Sequence, residues 1–250
     1  MTLIKSISGI RGTIGGAVGD NLTPIDIVRF AAAYGEVLRR TYPKDKLKVV
    51  IGRDARISGE MVGNLVSSTL NGLGIDVTDL GLSTTPTVEI AVPDLNANGG
   101  IILTASHNPE QWNALKLLDN KGEFLSAEAG QEIIDLAESE DFHFADVNEL
   151  GTTVSDNSFL QKHIDAVLNH PLVNREAIKK SNFKVALDSV NSTGGLFLPP
   201  LLKALGVNEV VELYSEPTGR FPHNPEPLPE HLTDLSEAVK EHGCHLGITV

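Results

Sequence analysis

Two periods alternate along the first part of the chain. Thr23 and Pro24 offer an N-cap and a first-turn proline, and Ile27, Phe30, Ala31, Tyr34, Val37 and Leu38 then fall on one face of a helix ending at Arg39 and Arg40. Lys48 to Gly52 reads as a short buried strand. Val62, Leu65, Val66, Thr69, Leu70 and Leu73 mark a second helix, with Gly74 in the stop position. Ile75 to Leu80 is again a strand, a shorter helix follows Pro86, and the run Ile101, Ile102, Leu103, Thr104 is a third buried strand. This βαβαβ order implies right-handed crossovers and a mostly parallel sheet with helices on both faces, in which ligands bind beyond the carboxyl ends of the strands.

Leu115 to Leu118 and Glu123 to Leu125 flank a hairpin-like DNKG turn, and Ser126 opens an acidic helix running to about Glu140. Phe142 to Asn157 is polar, acidic and without sustained periodicity, which makes it the best linker in the chain. The rhythm then restarts. Phe159 to Leu168 is helical, Lys184 to Ser189 a strand, Gly194 to Leu205 a proline-interrupted helix stopped by Gly206, and Glu209 to Tyr214 a strand. GRFPHNPEPLPE is a proline-rich loop, Glu230 to His242 a helix and LGITV a last strand. The expectation is two domains, residues 1–150 and 151–250. A parallel strand should deliver a functional loop and return through a helix, so a chain stopping on LGITV reads as truncated.

Bulk properties narrow the function classes. The 250 residues are 41% hydrophobic but only 5% aromatic, which favours aliphatic α/β cores. A net charge of −13 repels polyphosphate backbones, so nucleic acid is not an expected partner, and a phosphorylated ligand needs a local group of cations. The single cysteine, Cys244, rules out an intrachain disulfide framework and fits a reducing compartment. No apolar stretch matches a signal peptide or a membrane span, so the expectation is a cytoplasmic protein with no membrane partner. His242, Cys244 and His245 raise a soft-metal reading, which lacks a fourth ligand at zinc-finger spacing.

The chemistry concentrates at TASHNP, residues 104 to 109, where the apolar strand runs out and Ser106 reaches the strand's carboxyl end. A bare serine needs a base, a metal or a phosphoryl group already attached. The plain alternative is a serine turn before a proline. A hydrolase pairing Ser106 with His107 is disfavoured, because adjacent side chains on an extended segment point to opposite sides. Arg11 lies between Gly9 and Gly12, an arrangement that suits close backbone approach to an anion; its other reading is a surface cation.

SGIRG at 8 to 12, GRDAR followed by Ser58, TASHNP, and FPHNPEP at 221 to 227 occur in the order found in the α-D-phosphohexomutases, and the chain resembles the N-terminal half of that family. The resemblance implies four domains around one cleft, the first three being related α/β units. This chain would supply two related mixed-sheet α/β domains, the second incomplete. It implies a phosphosugar mutase, an isomerase that interconverts hexose or hexosamine 1-phosphate and 6-phosphate through a phosphoserine and a bisphosphorylated intermediate. By the same resemblance Ser106 carries the phosphoryl group, and Arg11 and Lys116 contact it and assist proton transfer; His107 either fixes the loop or, as a natural donor beside a phosphoserine, supports the phosphate, the favoured reading. Lys116 is then the general base or acid, a role for which its pKa must be lowered by burial or neighbouring cations, because a free lysine stays protonated at pH 7. Arg53 and Arg56 read as partners of Asp54 and as tethers of the serine loop.

The family binds Mg²⁺ with one phosphoserine oxygen, here on Ser106, and three aspartates on a loop that would begin where this chain stops. The fragment alone is therefore expected to be inactive. One departure is Asn113-Ala114 where the family often has asparagine-glycine; if that turn needs a positive φ, alanine must distort it. The remaining alternative is a non-catalytic scaffold or binding half.

Overall fold

The structure, a computed structural model, describes residues 1–6, 9–43 and 46–250; Ser8 of the SGIRG motif lies outside the described residues. By contact the chain divides into two units. The first comprises Met1–Arg53, Ser58–Ala105 and Gln111–Asn157, the second Asp54–Ile57, Ser106–Glu110 and Ser158–Val250.

The first unit holds strands β1 (Ile4–Ser6), β2 (Gly9–Thr13), β3 (Lys48–Arg53), β4 (Asp76–Leu82), β5 (Gly99–Leu103), β6 (Trp112–Leu118) and β7 (Thr153–Ser155). Its helices are α1 (Pro24–Thr41), α2 (Gly59–Gly72), α3 (Thr85–Asp94) and α4 (Ala127–Ser139). The sheet order is β1-β2-β6-β5-β3-β4-β7. Pairings among β5, β3, β4 and β7 are parallel and those among β1, β2, β6 and β5 antiparallel, so the sheet is mixed rather than mostly parallel.

The helices form where caps and apolar faces coincide. Thr23 and Asp26 make a reciprocal capping box at α1, and the expected face of that helix is buried. Helices α1, α2 and α4 pack on one side of the sheet with Ile10, Val49, Ile51, Ile101, Leu103, Leu115 and Leu117. On the other side α3 closes on β3 and β5, where Gly52 and Gly100 lie under Val88 and Val92. The segment expected to be a linker is used by the fold: Ala145 donates to the Gly72 carbonyl, Gly151 to that of Asn71, and β7 extends the sheet along β4. The arm after DNKG is a single antiparallel bridge, Leu118 to Phe124, rather than a strand.

The second unit contains α5 (Phe159–Asn169), α6 (Arg175–Lys180), β8 (Lys184–Asp188), α7 (Gly194–Leu205), β9 (Glu209–Leu213), α8 (Thr233–Glu241) and β10 (Leu246–Thr249). Its sheet is parallel in the order β10-β8-β9. Val185, Leu202, Val210 and Ile248 form one face of the core, and Ala186, Val211, Leu235 and Ala238 the other. The path β8-α7-β9-α8-β10 repeats β3-α2-β4-α3-β5: in each, the first strand lies between the other two. Chain order therefore reverses at β3 and at β8, which makes their carboxyl ends the topological switch points where such sheets take ligands.

Candidate active site

β3 and β5 are parallel neighbours paired to their last residues, Arg53 opposite Leu103, so the chain leaving them emerges side by side. The two exits are Asp54–Ile57 and Ser106–Glu110. Arg56 crosses from the first to the second with its side chain fully buried. Its Nη2 donates to the carbonyls of Ser106 at 2.8 Å and Asn108 at 2.7 Å, and its Nη1 to that of Pro109 at 2.7 Å. Nε donates to Asp54 Oδ2 at 3.0 Å, while Asp54 Oδ1 accepts from the Arg56 amide. Phe221 lays its ring 5.1 Å from the guanidinium carbon. Burial lowers the pKa of Arg56, and the charge and hydrogen bond of Asp54 oppose that shift.

Carbonyls 106, 108 and 109 can converge on one cation only if the chain reverses tightly, and Ser106 takes up the reversal with φ of 55°. A left-handed conformation costs a serine about 1–2 kcal/mol. Hydrogen bonds to a charged group contribute about 1.5–3 kcal/mol each, so the clamp outweighs the strain it holds. The result is an exposed serine hydroxyl on a fixed backbone.

The segment is therefore not extended, and the two side chains are not opposed as an extended strand would place them. Ser106 Oγ lies 3.5 Å from His107 Nδ1, and His107 Nε2 is 3.3 Å from Glu226 Oε2. The first separation exceeds the reach of about 2.6–3.2 Å expected between a nucleophile and its base.

Arg11 and Lys116 belong to the first unit. Arg11 is exposed on β2 opposite Ala114 of β6, and Lys116 is two residues beyond Ala114, so both side chains lie on the α3 face as diagonal neighbours. Both glycines near Arg11 lie within strand β2. Gly9 has φ of 125°, and a Cβ there would collide with the Leu115 carbonyl; one at Gly12 would come within 3.0 Å of the Leu22 amide. The missing side chains at both glycines admit close approach of protein backbone. Ala114 lies in the strand with Asn113 and needs no positive φ, so the expected distortion of an asparagine-glycine turn is absent. Asn113 is locked by donating to Ser58 Oγ at 2.9 Å.

Lys116 Nζ stands 6.0 Å from the Phe124 ring centre. Burial raises the Glu89 carboxyl above its ordinary value, and the charge of Lys116 opposes that shift. A ring face and a carboxylate attract the ammonium, in contrast to the cations a lysine base would need.

Sequence reasoning singled out no role for Asp188 or His223. Asp188 ends β8 with no exposed surface, and its Oδ2 is 2.8 Å from His223 Nε2 in the FPHNPEP loop. His223 Nδ1 lies 2.9 Å from the Asn224 carbonyl. Both ring nitrogens face acceptors, and only the imidazolium can donate to both. Burial alone would lower the pKa of His223, but the Asn224 carbonyl, Asp188 and the charge of Asp234 together raise it. Tyr214, whose hydroxyl donates to Asp234 at 2.6 Å, meets the His223 ring edge-on.

Among the described residues no three His, Cys, Asp or Glu side chains converge on a point an ion could fill. Ser106 is the one member of the expected Mg²⁺ ligand set in the chain, and the residues present do not by themselves fit that ion. The soft-metal reading also fails: Cys244 packs beside Leu235 and Ala238, and His245 Nδ1 accepts the Lys184 amide at 2.9 Å. Among the described residues no helix is long and apolar enough to cross a membrane.

Two α/β units of like topology, one bearing an exposed serine on a clamped turn beyond a parallel strand, define an α/β protein with a ligand loop at a switch point. The chain matches the family model for phosphoglucomutase/phosphomannomutase alpha/beta/alpha domain I over residues 3–144 and that for domain II over residues 161–250. It belongs to the phosphoglucomutase/phosphomannomutase family. It is 39% identical over 240 residues to a phosphoglucomutase/phosphomannomutase of Thermococcus kodakarensis, covering 95% of this chain and 52% of that protein. It is 33% identical over 245 residues to a phosphoglucosamine/phosphogalactosamine mutase of Sulfurisphaera tokodaii, covering 96% of this chain and 50% of that protein. A crystal structure of a phosphoglucomutase/phosphomannomutase family protein from Burkholderia thailandensis shares the fold, with a TM-score of 0.81 and 24% identity, covering 98% of this chain and 51% of that one. The chain spans about half the length of the curated relatives it matches.

Proposed function

We propose that these residues carry the phosphoryl group in a mutase that interconverts the 1- and 6-phosphates of a hexose or hexosamine, with Ser106 as the carrier. The observation that supports this most is the exposed Ser106 hydroxyl on a turn whose carbonyls are bound by a buried guanidinium. In the forward half-reaction the Ser106 Oγ–P bond breaks as a bond forms from phosphorus to a sugar hydroxyl oxygen. The hydroxyl loses its proton, Oγ gains one, and a bisphosphorylated sugar results. In the return half-reaction Oγ takes the other phosphoryl group.

Lys116, attracted as an ammonium by Glu89 and Phe124, is suited to the proton-donating role. Arg11, on the same sheet face, adds a second cation for the charge of the transferring group. His107 donates to the phosphoserine oxygens. Mg²⁺, where bound in the natural protein, would neutralise phosphate charge. The names of the relatives support a sugar phosphate as substrate, and both hexose and hexosamine phosphates fit them. The division into domains at 150/151 is supported by family matches that end at 144 and resume at 161.

One observation favours a second reading. Ser106, His107 and Glu226 follow one another as a serine, a histidine and a carboxylate, as in a hydrolase. Three variants of the natural protein separate the two, assayed with a hexose 1-phosphate and a bisphosphate primer. The mutase reading expects Ser106→Ala to fall to background and Lys116→Met to lose about 10²- to 10⁴-fold in turnover with substrate still bound. It also expects His107→Ala to be the mildest. A His107→Ala as damaging as Ser106→Ala, with Lys116→Met nearly silent, would establish the hydrolase instead.

A further inference from the structure

The geometry points to Arg56 as the residue that sets the rate of phosphoryl transfer by fixing Ser106, without touching phosphate or sugar. This rests on the reading of Ser106 as the phosphate carrier. Arg56 is a positioning residue: its Nη1 and Nη2 donate to main-chain carbonyls of the serine loop, and its Nε to the Asp54 carboxylate.

Three observations carry it. First, the guanidinium donates to the carbonyls of 106, 108 and 109 and to the Asp54 carboxylate, so it binds the serine loop through three points of its backbone. Second, those carbonyls can share one planar fork only with the turn closed, the turn in which Ser106 has φ of 55°. Third, the side chain is fully buried and held by the Asp54 carboxylate and under the Phe221 ring, so its own position is fixed. A transfer reaction depends on alignment at the reacting oxygen, where a displacement of about 1 Å costs on the order of 10²-fold in rate. Lysine cannot replace this fork. Its ammonium is a point donor on a flexible stem and cannot bind three carbonyls and a carboxylate in one plane.

The expected result, in the natural protein primed with a hexose bisphosphate, is that Arg56→Lys lowers the single-turnover transfer rate from phosphorylated Ser106 by about 10²-fold. KM for the sugar phosphate stays at its wild-type value. Amides of Ser106, His107, Asn108 and Glu110 exchange faster with deuterium, while those of β8 and β9 do not. If Arg56→Lys folds poorly, Phe221→Leu keeps every Arg56 donor but loosens its cover, and it should give the same split at smaller size.

A variant that transfers at the wild-type rate per folded, phosphorylated molecule would overturn the inference, as would a loss confined to KM. Ser106→Ala separates the two claims. Background turnover in Ser106→Ala with unimpaired Arg56→Lys removes the positioning role and leaves the carrier. Substantial turnover in Ser106→Ala removes the carrier itself.

Discussion

Ser106 and His223 show how single side chains are set by groups far away in sequence. At Ser106 the determining partner is Arg56, and at His223 it is Asp188. The His223 pair has a pH signature. Its folded pKa lies above the ordinary value of 6.5, so the stability it contributes is fully present below that value and is lost as the pH rises through the raised one. The groups facing the ring are Asp188, Asp234 and Tyr214. Denaturant unfolding of wild type and His223→Gln across this range should show the wild-type advantage shrinking as the pH rises above 6.5. An advantage that holds constant with pH would mean that the ring is bound neutral. The residues of TASHNP were legible because chemistry selects their types. Asp188 was not, since a lone aspartate ending an apolar strand has no local signal to mark it.

Among the elements, the helices were legible and part of the sheet was not. Cap, proline and apolar face agree at α1, so its beginning at Pro24 could be read directly. Strands β1 and β2 escaped because GIRG offers almost no alternation: Gly9 and Gly12 are there for close packing against β6 and Leu22, not for a hydrophobic face. The segment before β7 looked like a linker for a similar reason, since the exposed β7 is held by pairing to β4 rather than by apolar burial. Two substitutions separate these kinds of contribution. Thr23→Ala removes a capping oxygen and should cost about 1 kcal/mol. Gly9→Ala forces a Cβ against the Leu115 carbonyl at a positive φ and should cost more, about 3 kcal/mol. Chemical denaturation of both variants checks this order; a harmless Gly9→Ala would show that β2 can leave β6 without loss.

Taken as a molecule, the chain uses one topology twice, with the switch point once at β3 and once at β8. The repetition was readable as a restarted βα rhythm, because both runs obey the same burial and connection rules. What could not be read was the joining of Asp54–Ile57 and Ser106–Glu110 to residues as far along as Phe221 and Glu226. No periodicity records such contacts. For GRDAR the purpose was legible in the sequence, a partner of Asp54 and a tether of the serine loop, and Arg56 makes both contacts. The central claim is that Ser106 carries phosphate, and site-resolved mass spectrometry of the natural protein isolated in its active state tests it most directly. The account predicts a phosphoryl group on Ser106 in part of the population, which turns over when sugar phosphate is added. Active protein in which Ser106 is never modified would contradict it.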